Sequence, residues 1–117
     1  MKKLNKIMLI LSILPTLLTS VFLFFMNDTV PMHYNASGAV DRYGSKYENF
    51  ILPAIILFMY AFYMVYTKIY TKYSTNSVEK INNNVKITAI LVTSIIAAFN
   101  ILQLMFLILA VLKPDST

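Results

Sequence analysis

The sequence predicts an all-α membrane protein with three transmembrane helices and a structured extracytoplasmic loop between the first and second. Three observations lead there. Only 13% of the residues are charged and 58% are apolar, against about 25% charged in ordinary soluble domains. The apolar residues gather into three long runs free of Asp, Glu, Lys, Arg and His: IMLILSILPTLLTSVFLFFM, FILPAIILFMYAFYMVYT and ITAILVTSIIAAFNILQLMFLILAVL. The lysines flank these runs instead of clustering on one polar face, which is how membrane-anchoring charge is distributed. At 117 residues the chain reads as a single integral-membrane domain.

The first run gives a span over about residues 7–26, long enough at about 1.5 Å per residue to cross roughly 30 Å of hydrocarbon. Its leader MKKLNK resembles the start of a signal peptide. The apolar part, however, outruns the usual core of about 7 to 15 residues, and no small-x-small site follows Phe25, so an uncleaved anchor is expected. An outer loop follows over 27–49. The second span, about 50–70, has Pro53 near its start, where a missing N–H costs little because first-turn donors have no partner within the helix. Residues 71–86, TKYSTNSVEKINNNVK, read as a solvated cytoplasmic linker with a frayed helical end, because three adjacent asparagines are poor helix-interior residues. The third span, about 87–112, is long enough to tilt, and Lys113 and Pro114 stop it.

Seven lysines lie at the N-terminus and in the second connector (Lys2, Lys3, Lys6, Lys68, Lys72, Lys80 and Lys86), against Arg42, Lys46 and Lys113 in the first connector and the tail. The positive-inside rule puts the N-terminus inside and the C-terminus outside, with the first loop outside.

Composition also excludes chemistry. The chain has no cysteine, one histidine and five carboxylates, so thiolate chemistry is out and neither a metal site nor a cofactor is expected. The charge distribution argues against nucleic acid. The absence of ionisable residues from the apolar runs argues against a proton relay or an ion pathway. The spans hold uncharged polar residues instead. Ser12, Thr16 and Thr19, with Ser20, form a stripe on the first helix; Thr93, Asn100 and Gln103 share a face of the third. The expected use is helix packing, the two stripes facing each other in the bundle. In the sharper alternative, Asn100 and Gln103 line a self-association interface or a small ligand cavity. Tyr60, Tyr63, Tyr66, Tyr70 and Tyr73 form a stripe on the second helix, read as an interfacial belt or as a groove for a peptide.

The first loop concentrates the polar chemistry. Asn35-Ala36-Ser37-Gly38 is a turn signal and Tyr43-Gly44-Ser45 a second one, so the loop is expected to fold into a cap. Pro31 holds the chain extended before His33. Such a cap would bring His33, Asn35, Asp41, Arg42 and Lys46 together, either to meet a ligand or merely to knit the loop onto the bundle. No nucleophile or metal-ligand pair accompanies them, and an enzyme is not expected.

From Pro31 to Lys46, the pattern of Pro31, His33-Tyr34-Asn35, Gly38, Asp41 and Tyr43-Gly44-Ser45-Lys46 resembles the extracytoplasmic loop signature of a bacterial membrane domain of unknown function, one found at the N-terminal side of SdpI-type immunity proteins. The resemblance implies a multi-pass protein of the bacterial cytoplasmic membrane. It also implies that Pro31, His33, Asn35, Gly38, Asp41, Gly44, Ser45 and Lys46 carry the characteristic role, to which the residue chemistry adds Arg42. Proteins of that type protect a toxin-producing cell from its own secreted peptide and hold a transcriptional repressor, with further spans after the three-helix unit. This sequence stops after that unit, so protection against a membrane-active peptide is expected without repressor capture. The expected partners are the lipid bilayer and such a peptide, or, in an accessory role, a larger membrane protein.

Overall fold

A computed structural model describes residues 2–112. Three helices account for most of them: α1 (Lys2–Phe22), α2 (Ile51–Tyr73) and α3 (Val78–Leu112). Between α1 and α2 lies an antiparallel hairpin of β1 (Thr29–Tyr34) and β2 (Val40–Ser45), flanked by short 3₁₀ turns at Leu23–Phe25 and Lys46–Phe50. The helix-plus-turn segments Lys2–Phe25 and Lys46–Tyr73, and the helix Val78–Leu112, are each long and apolar enough to cross a membrane. Most large apolar side chains on them, Ile10, Leu17, Phe58, Phe62, Leu91 and Ile101 among them, point outward. That is an error in a water-soluble bundle and the expected arrangement when lipid is the solvent.

Buried positions follow the helical period. On α1 they are Met8, Ser12, Pro15 and Thr19; on α2, Pro53, Ile56 and Tyr63; on α3, Ile81, Ala89, Ile96, Gln103, Leu107 and Ala110. These lines meet in two layers. One holds Met8, Ile56, Tyr63, Ala89 and Ile96. The other, where α3 ends beside the hairpin, holds Met26, Val30, Leu107 and Ala110. Small residues in the seam let the helices approach closely, the main source of association when lipid removes the hydrophobic driving force.

Pro15 sits in the interior of α1 and has no N–H, so the Leu11 carbonyl loses its intrahelical donor. Asn100 of α3 supplies one: its Nδ2 donates to Leu11 O at 2.8 Å, and to Ile96 O of its own helix at 2.8 Å. A proline is tolerated at this depth because a neighbouring helix satisfies the carbonyl it frees.

The linker expected over residues 71–86 is corrected. Only Ser74–Ser77 lies outside a helix there, and α3 starts at Val78. Ser77 caps it, its Oγ accepting from Lys80 N at 3.2 Å, while Glu79 places a carboxylate in the first turn, where the helix dipole favours one. The asparagine run stays helical because Asn84 Nδ2 donates to the Tyr70 hydroxyl at 2.7 Å and Asn76 Nδ2 joins it at 3.3 Å. A tertiary bond overrides a weak intrinsic preference. At 35 residues, α3 is about 50 Å long, more than the hydrocarbon requires. Lys113 and Pro114, expected to stop this helix, lie outside the described residues.

The tyrosine stripe does not act as one surface. Tyr63 is buried and donates from its hydroxyl to Asn5 Oδ1 at 3.2 Å. Tyr66 and Tyr70 stack with ring centroids 6.1 Å apart, and Tyr73 is exposed beside Lys72.

Candidate functional site

The hairpin turns where the sequence signals it. Asn35 N donates to Ala39 O at 2.9 Å and Gly38 N to Asn35 O at 3.0 Å. The Asn35 Oδ1 accepts from Ser37 N, Ser37 Oγ and Ala39 N at 2.7–3.0 Å. Gly38 has φ of +84°, the left-handed position of a short hairpin connection.

Below the turn the pairing is irregular. Thr29, Val30 and Pro31 oppose Ser45, Gly44 and Tyr43, then His33 opposes Arg42 and Tyr34 opposes Val40. Met32 on β1 and Asp41 on β2 are therefore the extra residues of two compensating bulges. The outcome is contact between His33 and Asp41: Nδ1 and Oδ1 are 2.6 Å apart on an exposed surface. An ionised carboxylate only accepts, so Nδ1 carries the proton and Nε2 stays open to an outside partner.

The other charges pair separately. Arg42 reaches Glu48 Oε1 with both terminal nitrogens at 3.3 Å, and Lys46 Nζ lies 3.7 Å from Asp28. Ser45 Oγ accepts from Tyr47 N at 3.3 Å and so starts the 3₁₀ turn. The single cluster of His33, Asn35, Asp41, Arg42 and Lys46 expected from the sequence is thus corrected. His33 and Asp41 meet, Arg42 turns to Glu48, Lys46 sits at the hairpin base, and Asn35 spends its side chain on the turn. Bulged pairing sends neighbouring side chains to different sides, which residue spacing alone does not reveal.

The inner face of the hairpin is apolar. Val30 and Pro31 are buried, and Val30 packs with Met26, Leu107 and Ala110 while Met32 covers them. A Cβ at Gly44 would overlap the Glu48 carboxyl and lie 2.9 Å from Met32 Cγ, so a side chain there displaces the Glu48 and Met32 side chains. Gly38 has open space around the same position, so its constraint is backbone conformation alone. Gly38→Ala is therefore expected to cost about 1 kcal/mol through strain. Gly44→Val should cost about 1–3 kcal/mol through overpacking. In thermal unfolding, Glu48→Ala should relieve the Gly44→Val loss and leave the Gly38→Ala loss unchanged, and the same effect on both would contradict this assignment.

Tyr34 carries a buried hydroxyl with no hydrogen-bond partner. Burial, with Tyr43 adding to it, pushes its pKa above the ordinary tyrosine value. A raised pKa favours the protonated form, so its contribution to stability is present below the ordinary tyrosine range and is lost as pH rises through the raised value. Tyr34→Phe removes the orphan hydroxyl. It is expected to leave stability at neutral pH unchanged or up to about 1 kcal/mol higher, and to reduce the alkaline loss, as read by circular dichroism across a pH series.

What holds the hairpin to the bundle was not legible from residue spacing. Asn49 is buried; its Nδ2 donates to Lys46 O at 2.9 Å and approaches Met26 Sδ at 3.7 Å. Its carbonyl accepts from Gln103 Nε2 at 2.8 Å, and the same nitrogen donates to Thr19 Oγ1 at 2.9 Å. Gln103 thus ties α1, α3 and the 3₁₀ turn before α2 together. Ser12 is buried and bonds Leu9 O at 2.8 Å. Thr16 and Thr93 have buried hydroxyls without partners. Asn49, Glu48, Asp28 and Asn5 are the working residues that sequence reasoning missed. Asn49 offered one signal, a lone amide just before an apolar run.

Among the described residues no group of three or more His, Cys, Asp or Glu is placed to hold a metal. Outside the hairpin, Phe24, Phe25 and Tyr47 are strongly exposed around the adjoining helix ends, so charged pairs sit beside an aromatic collar.

No solved structure matches the chain. A protein of Archaeoglobus fulgidus described as uncharacterized is 43% identical over 42 residues, which is 36% of this chain and 23% of the relative. The chain therefore matches less than a quarter of that relative's length. The chain is a small helical protein with three helices fit to span a membrane, and its residues 10–57, from within α1 through the hairpin to the first turns of α2, match the profile of a domain of unknown function (DUF1648).

Proposed function

We propose that this is a small integral-membrane protein of the bacterial cytoplasmic membrane that protects its cell from a membrane-active peptide, in the manner of the SdpI-type immunity proteins its loop resembles. The observation that carries this reading is the amphipathic surface at the hairpin end of the bundle: the exposed pairs His33–Asp41 and Arg42–Glu48 beside the collar of Phe24, Phe25 and Tyr47. An amphipathic peptide lying at a membrane interface presents the complementary arrangement, with an apolar face toward the acyl chains and charges above it. An exposed ion pair such as Arg42–Glu48 is worth at most about 1 kcal/mol, so its partners can be exchanged for groups on a peptide at little cost. Because the hairpin is already folded and anchored, binding spends little on ordering it.

In this reading the N-terminus is cytoplasmic and the hairpin faces outward, since the lysine-rich end belongs inside. The chain has no native cysteine, so single cysteines report topology directly. A membrane-impermeant thiol reagent should label one at Ser37 and not one at Ser77 in intact cells, and the reverse pattern sinks the orientation. Deleting the gene should sensitise cells to a small secreted peptide encoded beside it. The double variant His33→Ala, Asp41→Ala should lose protection at unchanged abundance in membranes. Unchanged sensitivity on deletion removes the immunity reading.

A second reading, an accessory subunit of a larger membrane complex, is favoured by the apolar groove of about 480 Å³ between α2 and α3, lined by Phe58, Met59, Phe62, Tyr66, Thr88 and Val92 among others. It requires co-purification with a membrane partner and loss of the chain when that partner is absent.

A further inference from the structure

The end of the bundle away from the hairpin gathers seven lysines, Lys2, Lys3, Lys6, Lys68, Lys72, Lys80 and Lys86, with Glu79 as the sole carboxylate among the described residues there. Among the described residues, the ion pairs all lie at the hairpin end, so no described carboxylate neutralises any of these lysines. A charge excess of this kind beside long apolar surfaces calls for an anion from outside.

Geometry narrows the place. Lys68 and Lys72 stand one turn apart on α2, on the face opposite Tyr66 and Tyr70. They rim a cleft of about 690 Å³ to which all three helices contribute: Asn5 from α1, Thr67 and Thr71 with the lysines from α2, and Val85 from α3. The Tyr63–Asn5 hydrogen bond, at 3.2 Å, joins α1 to α2 within this lining. Met64 and Ile69 make part of the wall apolar. The cleft opens where the apolar part of α2 gives way to its lysines, a transition that membrane helices place at the headgroup level.

We infer that this cleft binds the headgroup of an anionic phospholipid, its phosphate between the Lys68 and Lys72 ammonium groups and within reach of the Thr71 hydroxyl, its glycerol and upper acyl carbons against Met64 and Ile69. Two cations spaced one helical turn apart bracket one phosphate, and the apolar wall supplies what a free inorganic anion could not use. Because headgroups line both leaflets, the inference does not depend on the orientation proposed above, nor on protection against a peptide.

The test uses the full chain purified in detergent, with bound lipid read by native mass spectrometry after addition of phosphatidylglycerol, phosphatidylcholine or inorganic phosphate. Phosphatidylglycerol should form a one-to-one adduct preferred about tenfold or more over phosphatidylcholine, and the double variant Lys68→Gln, Lys72→Gln should lose that preference. The control Lys80→Gln, Lys86→Gln removes the same charge from outside the cleft and should keep affinity within about twofold. Circular dichroism checks that each variant folds; since all four lysines are exposed, each should. Equal losses in the two double variants would mean diffuse attraction and overturn the site. Displacement of the lipid by equimolar inorganic phosphate, or no preference for the anionic lipid, would overturn it as well.

Discussion

Replacing Asn100 by leucine is expected to destabilise the bundle by about 1–3 kcal/mol, the cost of leaving a buried carbonyl without a donor. The carbonyl is Leu11 O, bonded to Asn100 Nδ2 at 2.8 Å. Interhelical hydrogen bonds in membranes average only about 0.6 kcal/mol, because the separated helices find other partners. Leu11 has no such alternative while Pro15 occupies the position whose N–H would have served it, so this bond should rank well above that average. Pro15→Ala restores the intrahelical donor. In that background Asn100→Leu should cost less than half as much, giving a coupling energy of about 0.5 kcal/mol or more in a double-mutant cycle. Thermal or denaturant unfolding in detergent micelles, followed by tyrosine circular dichroism, measures all four proteins. If Asn100→Leu costs the same with and without Pro15, the proline is irrelevant to the contact.

Gln103→Leu is expected to be worse, at about 2–4 kcal/mol, because two acceptors lose a donor in one step. Its amide nitrogen serves both Thr19 Oγ1 and Asn49 O, and Gln103 itself is buried. Leucine fills much of the volume but satisfies neither oxygen. The damage should concentrate where the hairpin joins the bundle, since Asn49 also holds Lys46 O from its side chain. Hydrogen exchange should therefore quicken at residues 46–50 while the Met8, Ile56 and Ala89 layer stays protected. Thr19→Val removes one acceptor together with its hydroxyl, so Gln103→Leu should cost less in that background. Uniform loosening of all three helices would instead make Gln103 an ordinary packing residue. If the hairpin receives a peptide, this variant should also weaken protection with every exposed loop residue unchanged, because a rocking platform pays the ordering cost that the anchored one avoids.

The polar residues of the helix seam illustrate how far a one-dimensional reading reaches. Period and polarity put Ser12, Thr16 and Thr19 on one face and Thr93, Asn100 and Gln103 on another, and Thr19 and Gln103 are within hydrogen-bond distance. The same reading left Pro15 out, although that residue explains why an asparagine stands at position 100. Nothing local to Asn100 indicates that its partner is a backbone carbonyl 89 residues earlier. The loop shows a similar limit. Turn chemistry at Asn35 and Gly38 was legible because it depends on adjacent residues. The strands and their bulges were not, because Pro31 and Gly44 argue against a regular strand and only packing on Leu107 and Ala110 makes the paired form worthwhile.

The sequence by itself determined the number of helices fit to cross a membrane and the position of the one polar cap, since length and hydropathy are the quantities a bilayer selects on and both are summed along the chain. The tertiary structure decided which polar groups meet: Asn100 with the carbonyl freed by Pro15, Gln103 with Asn49 and Thr19, Tyr70 with the asparagines that keep the start of α3 helical. The first two sets form only when segments far apart in sequence come within 3 Å or so, and there the cost of an unpaired polar group away from water outweighs local preference; the third joins neighbouring helix ends at the bundle surface.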